Sequence, residues 1–190
     1  MIEFITGCMF CGKTEELIRR MRRESISGKK VVLFKPKIDN RYSEEYVTTH
    51  DGVSFRCITA ENSDDLYGYD ADVIGIDEVQ FLDDGVVRFC RKFRNKLIIV
   101  SGLNTDFMGK PFKFKDSERH VGELMAMSKV YYLSAICTYR ENGEICGREA
   151  NFTQRLANGK PVYHDDKLVV IGGKEQYEAR CEKHFVIEEN

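Results

Sequence analysis

Short, almost continuously apolar segments recur in the first hundred residues, and each ends at small or polar residues. They cover residues 2–5, 31–34, 73–76 and 97–100. A strand that is apolar on both sides, instead of alternately apolar and polar, is typical of a parallel sheet buried on both faces. Because mixed or helical stretches separate these segments, the pattern predicts an α/β fold with a parallel central sheet.

A helix is predicted directly after the first strand. Residues 12–24 consist mainly of helix-forming residues. Leu17, Ile18 and Met21, with Met9 ahead of them, give this segment a partial apolar face. Its later part carries four arginines, Arg19, Arg20, Arg22 and Arg23. Cations there meet the negative end of the helix dipole, so we interpret these arginines as a solvated or subunit-facing surface.

The sequence changes character after residue 132. Cysteines, turn residues and short apolar pieces at 131–136 and 168–171 replace the longer apolar segments. This pattern of residue types predicts a small β-rich appendage. We therefore expect one α/β domain at residues 1–132 and a second unit at residues 133–190.

Composition narrows the protein class. The 190 residues carry a formal net charge of −2, which argues against a dedicated nucleic-acid-binding protein. No apolar run approaches the length of a membrane span, and residues 1–6 lack the features of a signal peptide. Seven cysteines, an odd number, make a poor disulfide framework. We therefore expect a cytoplasmic protein that has no membrane partner.

Residues 7–14 read Gly-Cys-Met-Phe-Cys-Gly-Lys-Thr and match the pattern G-x-x-x-x-G-K-[ST] at every fixed position. In such a loop, backbone N–H groups surround phosphate oxygens, the lysine supplies a positive charge and the hydroxyl binds Mg²⁺. The candidate residues for nucleotide phosphates and Mg²⁺ are Gly7, Cys8, Met9, Phe10, Cys11, Gly12, Lys13 and Thr14. We interpret the two cysteines as small loop-filling residues, with redox sensitivity as the alternative.

Two carboxylates follow the apolar segment at 73–76. Asp77 lies where a phosphate loop requires a second partner for its metal, at the end of a nearby strand. Glu78 is a candidate general base that takes a proton from water or from a substrate hydroxyl. These motifs predict chemistry on a Mg²⁺-bound nucleotide but leave the acceptor open, since motors, switches and small-molecule kinases share them.

The order of further short elements resembles the cellular-type (type II) thymidine kinase family, whose phosphate loop typically reads G-P-M-[FY]-[SA]-G-K. The resemblance runs through residues 7–20, 34–37, 39–43, 49–52, 76–81, 101–107, 152–155, 170–173, 177 and 181–184. It covers nearly the whole chain. It implies a P-loop kinase that uses ATP to phosphorylate thymidine, and deoxyuridine, at the 5′-hydroxyl in DNA-precursor salvage, and that forms a homotetramer.

The resemblance also implies roles for individual residues. Glu78 would be the general base for the nucleoside 5′-hydroxyl. Further nucleotide-site residues would be Asp39, Asn40, Arg41 and Gln80. Phe107 and Phe112 would flank the nucleobase, although taken alone they are more typical of a core. Other substrate-binding residues would be Met9, Leu103, Thr153, Leu168, Val169, Val170, Ile171, Gly172 and Tyr177.

A zinc site is predicted near the end of the chain. Cys181 and His184 have the C-x₂-H spacing of half a tetrahedral site, and Cys137 and Cys146 are the expected partners. The family normally writes the first half as C-x₂-C-G, whereas eight residues separate these two cysteines. Within them, Asn142-Gly143 favours a tight hairpin turn, which would bring both sulfurs to one structural metal. The alternative is three unrelated thiols.

Two other functions remain open at this point. One is a kinase for a different nucleoside. The other is a zinc-bearing P-loop ATPase that acts on single-stranded nucleic acid, which the lack of an interleaved aromatic and basic stripe disfavours.

Overall fold

The computed structural model describes residues 1–37, 46–48, 52, 54–162 and 176–187. Over these ranges the α-helices are α1 Lys13–Ile26, α2 Gly85–Lys92 and α3 Gly122–Ala126, with short 3₁₀ helices at Ser63–Leu66 and Val79–Phe81. The strands over the same ranges are β1 Ile2–Gly7, β2 Val31–Pro36, β3 Tyr46–Thr48, β4 Ser54–Arg56, β5 Ile58–Ala60, β6 Val73–Ile76, β7 Leu97–Gly102, β8 Lys129–Leu133, β9 Ala135–Ile136, β10 Arg140–Glu141, β11 Glu144–Ile145, β12 Glu149–Ala150, β13 Phe152–Ala157, β14 Lys160–Pro161 and β15 Tyr177–Arg180.

The central sheet has the order β5-β2-β6-β7-β1-β8, and every neighbouring pair in it is parallel. Its inner strands β6 and β7 are buried almost throughout. Two apolar clusters cover the sheet: one includes Phe4, Phe34 and Phe89, and the other packs α1 against it through Leu17 and Met21. The predicted α/β fold with a parallel sheet is therefore confirmed.

The four predicted strands all lie in this sheet, and three of them run two residues further than predicted. β1 ends at Gly7, β2 at Pro36 and β7 at Gly102. The helix begins at Lys13, so Met9 lies in the preceding loop and not on the helix face where the apolar pattern placed it. The strand ends and this loop together form the carboxyl edge of the sheet, where ligands of parallel α/β proteins bind.

Residues 131–136 differ from the prediction that assigned them to the appendage. Residues 131–133 belong to β8, which pairs with β1 as the edge strand of the central sheet, while residues 135–136 form β9, which pairs antiparallel with β12. β8 is half-exposed, as an edge strand is, so its sequence does not resemble the buried inner strands. The second predicted apolar piece, 168–171, falls outside the described residues, and the division at residue 132 stays a prediction.

The described residues after β8 form short antiparallel pairs, which confirms a small β-rich part. β13 is its longest strand and lies between β14 and β15. β10 and β11 form a separate hairpin.

Arg20, one of the four helix arginines, is mostly buried and ion-paired, in contrast to the solvated surface that the sequence predicted. Arg20 donates to Glu3 on β1 and to Glu16 on its own helix, and its guanidinium carbon lies 3.7 Å from the ring centre of Tyr131 on β8. Its side chain is only 15% exposed. Arg20 therefore fixes α1 against two strands of the sheet. Across the described residues, none of the helices combines the length and apolarity that crossing a membrane requires.

Candidate active site

The phosphate loop is shaped by backbone that ordinary residues rarely adopt. Gly7 has φ 143°, and a Cβ there would lie 2.0 Å from the carbonyl oxygen of Leu133 on β8. Phe10 and Gly12 have φ values of 66° and 84°. Positive φ values turn successive N–H groups inward, which produces the concave, anion-binding backbone that the sequence motif predicts.

Lys13 lies across this loop. Its side chain is buried, and Nζ donates to the carbonyl oxygen of Cys8 at 2.8 Å. The ammonium is thus fixed beside the loop before any phosphate arrives. A buried cation next to inward-facing N–H groups fits an anionic ligand.

Asp77 accepts two hydroxyl hydrogen bonds at the end of β6. The Thr14 hydroxyl lies 3.2 Å from its Oδ2, and the buried Ser101 hydroxyl at the end of β7 donates to Oδ1. Oxygen donors of this kind are the ligands that Mg²⁺ takes in nucleotide sites. The residues present therefore fit the predicted metal. Ser101 was not predicted, although its position at the end of a buried parallel strand was a usable signal.

Glu78 adopts the left-handed conformation, with φ 47° and ψ 47°. This backbone costs about 1–3 kcal/mol for a residue other than glycine, and such strain is concentrated at active sites. The Gln80 amide nitrogen donates to the Glu78 carboxylate, and the Gln80 carbonyl oxygen accepts from the Leu103 N–H at 3.2 Å. Gln80 therefore positions Glu78 from the end of β7.

Three of the predicted nucleobase residues belong to the larger apolar cluster of the core. Leu103 and Phe112 lie in one buried cluster, and Met9 packs against it. Phe112 also meets Phe81 edge to face, with ring centres 6.0 Å apart. Their packing is that of core residues, and their role as a wall for the nucleobase stays a prediction.

Phe107 and Tyr177, two further predicted substrate residues, are neighbours of Arg155, which was not predicted as a site residue. Its guanidinium carbon lies 5.3 Å from the ring centre of Phe107, and its backbone is paired with Tyr177 across β13 and β15. Thr153, on the same strand, accepts a hydrogen bond from the Met9 N–H at 3.0 Å. Thus β13 connects the phosphate loop with the aromatic residues. Arginine in the Thr-Gln-Arg element was the available sequence signal.

Several predicted site residues lie outside the described residues. They are Asp39, Asn40, Arg41, Leu168, Val169, Val170, Ile171 and Gly172.

The four predicted metal ligands, Cys137, Cys146, Cys181 and His184, lie together, with their ligand atoms all within 4.8 Å of one another. His184 Nδ1 is 3.6 Å from Cys137 Sγ and 3.5 Å from Cys181 Sγ, and the Cys146 and Cys181 sulfurs are 3.9 Å apart. A tetrahedral zinc site with the usual bond lengths has S···N edges of about 3.6 Å and S···S edges of about 3.8 Å. The group can hold a metal, and its geometry fits zinc.

The inserted residues form the predicted hairpin. Asn142 and Gly143 have φ values of 55° and 88°, as a two-residue turn of the I′ type requires. The Cys146 N–H donates to the Tyr139 carbonyl oxygen at 2.8 Å and closes the hairpin. The extra residues therefore project from the cluster without separating its sulfurs.

The hairpin also supplies contacts around His184. The Tyr139 ring lies 4.3 Å from the imidazole, centre to centre, and a Glu141 carboxylate oxygen lies 3.8 Å from the buried Nε2. Carboxylates near the outer nitrogen of a metal-bound histidine orient the ring and tune the ligand. Sequence spacing gave no signal for this role of Glu141.

The chain matches the thymidine kinase family model over residues 1–185. It is also 43% identical over 191 aligned positions to a thymidine kinase of Coprothermobacter proteolyticus, an alignment covering 98% of this chain and 90% of that protein. The phosphate loop, the carboxylates after β6 and the cysteine cluster all lie within the matched range. The chain therefore belongs to the thymidine kinase family, and it is a phosphotransferase.

Proposed function

We propose that this enzyme transfers the γ-phosphoryl group of Mg²⁺-bound ATP to the 5′-hydroxyl of thymidine, and also of deoxyuridine. The observation that carries the proposal is the contact between the Thr14 hydroxyl and Asp77, with Glu78 next in the chain. It brings the phosphate loop, the metal-binding carboxylate and a candidate base to one edge of the sheet. The family match and the name of the Coprothermobacter relative support the nucleoside.

The phosphate half of the site has separate roles for its groups. In this proposal the N–H groups of the loop bind the phosphates, apart from that of Met9, which donates to Thr153, and Lys13 adds a fixed positive charge. Thr14 and Asp77 would hold Mg²⁺, which when bound neutralises charge on the phosphate oxygens. Asp39, Asn40, Arg41 and Gln80 complete the nucleotide site in this proposal, with Arg41 stabilising charge on the transferring group.

The nucleoside half orients the acceptor. Met9, Leu103, Phe107 and Phe112 enclose the pyrimidine, and residues 168–172 contact the base through their backbone. Tyr177 binds the sugar. Glu78 then accepts the 5′-hydroxyl proton as the oxygen attacks the γ-phosphorus, because an alcohol is a weak nucleophile until it loses that proton.

A nucleoside panel with ATP and Mg²⁺ tests the proposal. ADP formation should rise on addition of thymidine and deoxyuridine and should stay at the background level with purine nucleosides. Equal rates with a purine nucleoside would favour the other-nucleoside alternative. ADP formation that responds to single-stranded DNA and not to thymidine would favour the ATPase alternative.

Further parts of the proposal concern the whole protein. We infer a cytoplasmic salvage enzyme that assembles as a homotetramer, without a nucleic-acid or membrane partner. Residues 1–132 would form the nucleotide-binding domain, and residues 133–190 a lid-like domain held by one structural zinc. Sedimentation of the purified protein and elemental analysis check the assembly and the metal.

A further inference from the structure

The phosphate loop contains two cysteines that the phosphate-binding pattern does not require. Cys8 and Cys11 have C-x-x-C spacing and occupy positions where the type II family typically has proline and serine or alanine. Cys11 packs against the buried cluster that contains Cys8, and Lys13 Nζ lies 2.8 Å from the Cys8 carbonyl oxygen and 3.9 Å from Cys11 Sγ. The Cys11 sulfur lies directly over Gly7, only 2.8 Å from where a Cβ on that residue would be. The loop thus brings two thiols together where phosphates are expected to bind.

We propose that Cys8 and Cys11 are a reversible thiol-modification site, which forms a disulfide across the phosphate loop and thereby blocks nucleotide binding. The chemical class that drives the modification is a low-molecular-weight disulfide. Formation of the bond stands on the C-x-x-C spacing and on the packing of Cys11 against the cluster that contains Cys8, whereas its effect on ATP rests on the function proposed above.

The two thiols differ in ways that assign their roles. Cys8 is 1% exposed and donates to the Ala150 carbonyl oxygen at 3.2 Å, whereas Cys11 is half-buried and has the Lys13 ammonium 3.9 Å away. The neighbouring Cys8 thiol and the charge of Lys13 lower the pKa of Cys11 to about 7, whereas the neighbouring Cys11 and burial raise the pKa of Cys8. Cys11 is therefore the attacking thiol and Cys8 the resolving one.

The reaction balances as two thiol–disulfide exchanges. The Cys11 thiolate attacks one sulfur of the small disulfide, breaks its S–S bond and releases one small thiolate. Cys8 then gives up its proton, and its sulfur attacks Cys11 Sγ and releases the second small thiolate. The protein loses two hydrogens, and the reagent gains them as two thiols.

The new bond would change the loop that holds the phosphates. A covalent S–S distance of about 2.0 Å is much shorter than the closest approach of two unbonded sulfurs, so the two side chains must move together. The Cys8 contact with Ala150 is then lost, and the backbone between the cysteines must rotate. Inward-facing N–H groups depend on the φ values of this segment, so the oxidised loop no longer surrounds an anion.

The full-length, zinc-loaded enzyme is treated with oxidised glutathione and then with dithiothreitol. Tryptic peptide 1–13 contains both cysteines and no other cysteine, so its mass reports the bond as a loss of two hydrogens. Affinity for a fluorescent ATP analogue should fall about tenfold or more in parallel, because each hydrogen bond to a charged group contributes about that factor. Dithiothreitol should restore both the mass of the reduced peptide and the affinity for the ATP analogue.

Cys11→Ser and Cys8→Ser are each compared with their own reduced state. Cys11→Ser should keep its ATP affinity under glutathione disulfide, because the attacking thiol is absent. Cys8→Ser should stop at the mixed disulfide, so its peptide 1–13 should carry one glutathione that dithiothreitol removes. Zinc released to a metallochromic dye is followed at the same time, because the cluster cysteines also react with disulfides.

The proposal is overturned if peptide 1–13 keeps two free thiols, if the bond forms without change in ATP affinity, or if Cys11→Ser is inhibited as strongly as the unmodified enzyme. Reduced enzyme that binds no ATP would refute the proposed function, while the peptide mass still decides whether the disulfide forms.

Discussion

The Met9 N–H in the phosphate loop donates to the Thr153 hydroxyl at 3.0 Å, across 144 positions of the chain. A second contact, from Cys8 Sγ to the Ala150 carbonyl oxygen, lies close by. Both partners belong to strands that lie, along the chain, between the two halves of the cysteine cluster. The loop that we expect to bind ATP is therefore hydrogen-bonded to the part of the chain whose two ends the cluster joins.

Thr153→Val tests this connection, because valine keeps the shape of threonine and removes the oxygen that accepts the Met9 N–H. We expect a loss of about 1 kcal/mol in stability and an increase of about fivefold in the KM for ATP, since the N–H remains partly buried without its partner. Thr138→Val, at an exposed site near the cluster, is the matched control. Identical ATP kinetics in the two variants would contradict the prediction.

Lys13→Ala should lower kcat/KM by about 10²–10³ or more, because a preorganised cation at the transferring phosphate is lost. The thermal unfolding temperature should change little, since the ammonium makes one backbone hydrogen bond in the described contacts of the loop. Steady-state kinetics and a thermal melt measure both effects. Lys29→Ala, which removes an exposed lysine beyond α1, is the control; phosphorylation near the unmodified rate in Lys13→Ala would rule out the assigned role.

Glu78→Gln should reduce kcat by about 10²–10⁴, the usual contribution of a general base. Affinity for ATP and thymidine should be retained, because the amide has nearly the shape of the carboxylate. Single-turnover rates measured alongside binding titrations separate the two effects, with Glu118→Gln at an exposed site as the control. Weakened ATP affinity with intact chemistry would assign Glu78 to the metal instead.

Cys146→Ser should lower both the zinc content and the unfolding temperature, because three ligands remain where a closed structural site requires four. Cys57→Ser, at a buried thiol outside the cluster, should leave the zinc content unchanged. Deleting residues 139–144 restores C-x₂-C-G with all four ligands present, so that variant should retain zinc. Elemental analysis that finds no zinc in the unmodified protein, or full zinc in Cys146→Ser, would refute the four-ligand site.

Glu141→Gln should weaken zinc retention against a chelator by about tenfold, at the low end of the effects of outer carboxylates, because its oxygen lies 3.8 Å from His184 Nε2 and the side chain is 58% exposed. Competition with a chromogenic chelator measures the change. Glu144→Gln, on the other strand of the same hairpin, should behave as the unmodified protein. Equal retention in both variants would show that Glu141 does not act on the histidine.

Much of this architecture was predictable because it depends on local patterns. The inner strands are apolar on both faces, and the spacing of Cys181 and His184 identifies half a metal site without knowledge of the fold. β8 was misassigned because an edge strand is half-exposed. The placement of Ser101 beside Asp77 depends on the strand order in the sheet, which no local pattern contains.

The contact between Met9 and Thr153 was beyond prediction for a related reason. A backbone N–H has no sequence signature, and its partner lies on a distant strand. Arg155 illustrates the same limit: its type fits many surface positions, and its contact with Phe107 depends on how β13 packs against a distant part of the chain.

The inserted hairpin offers an attachment point for engineering. Its strands pair Arg140 with Ile145 and Glu141 with Glu144, and its turn at Asn142 and Gly143 is exposed. Side chains alternate between the two faces of a strand, so lengthening both strands by two residues each keeps Tyr139 and Glu141 facing the histidine. A one-residue extension of one strand would reverse that facing. A label or affinity sequence can thus be inserted at the turn, with each strand lengthened in steps of two residues. The spacing of the four metal ligands then stays unchanged.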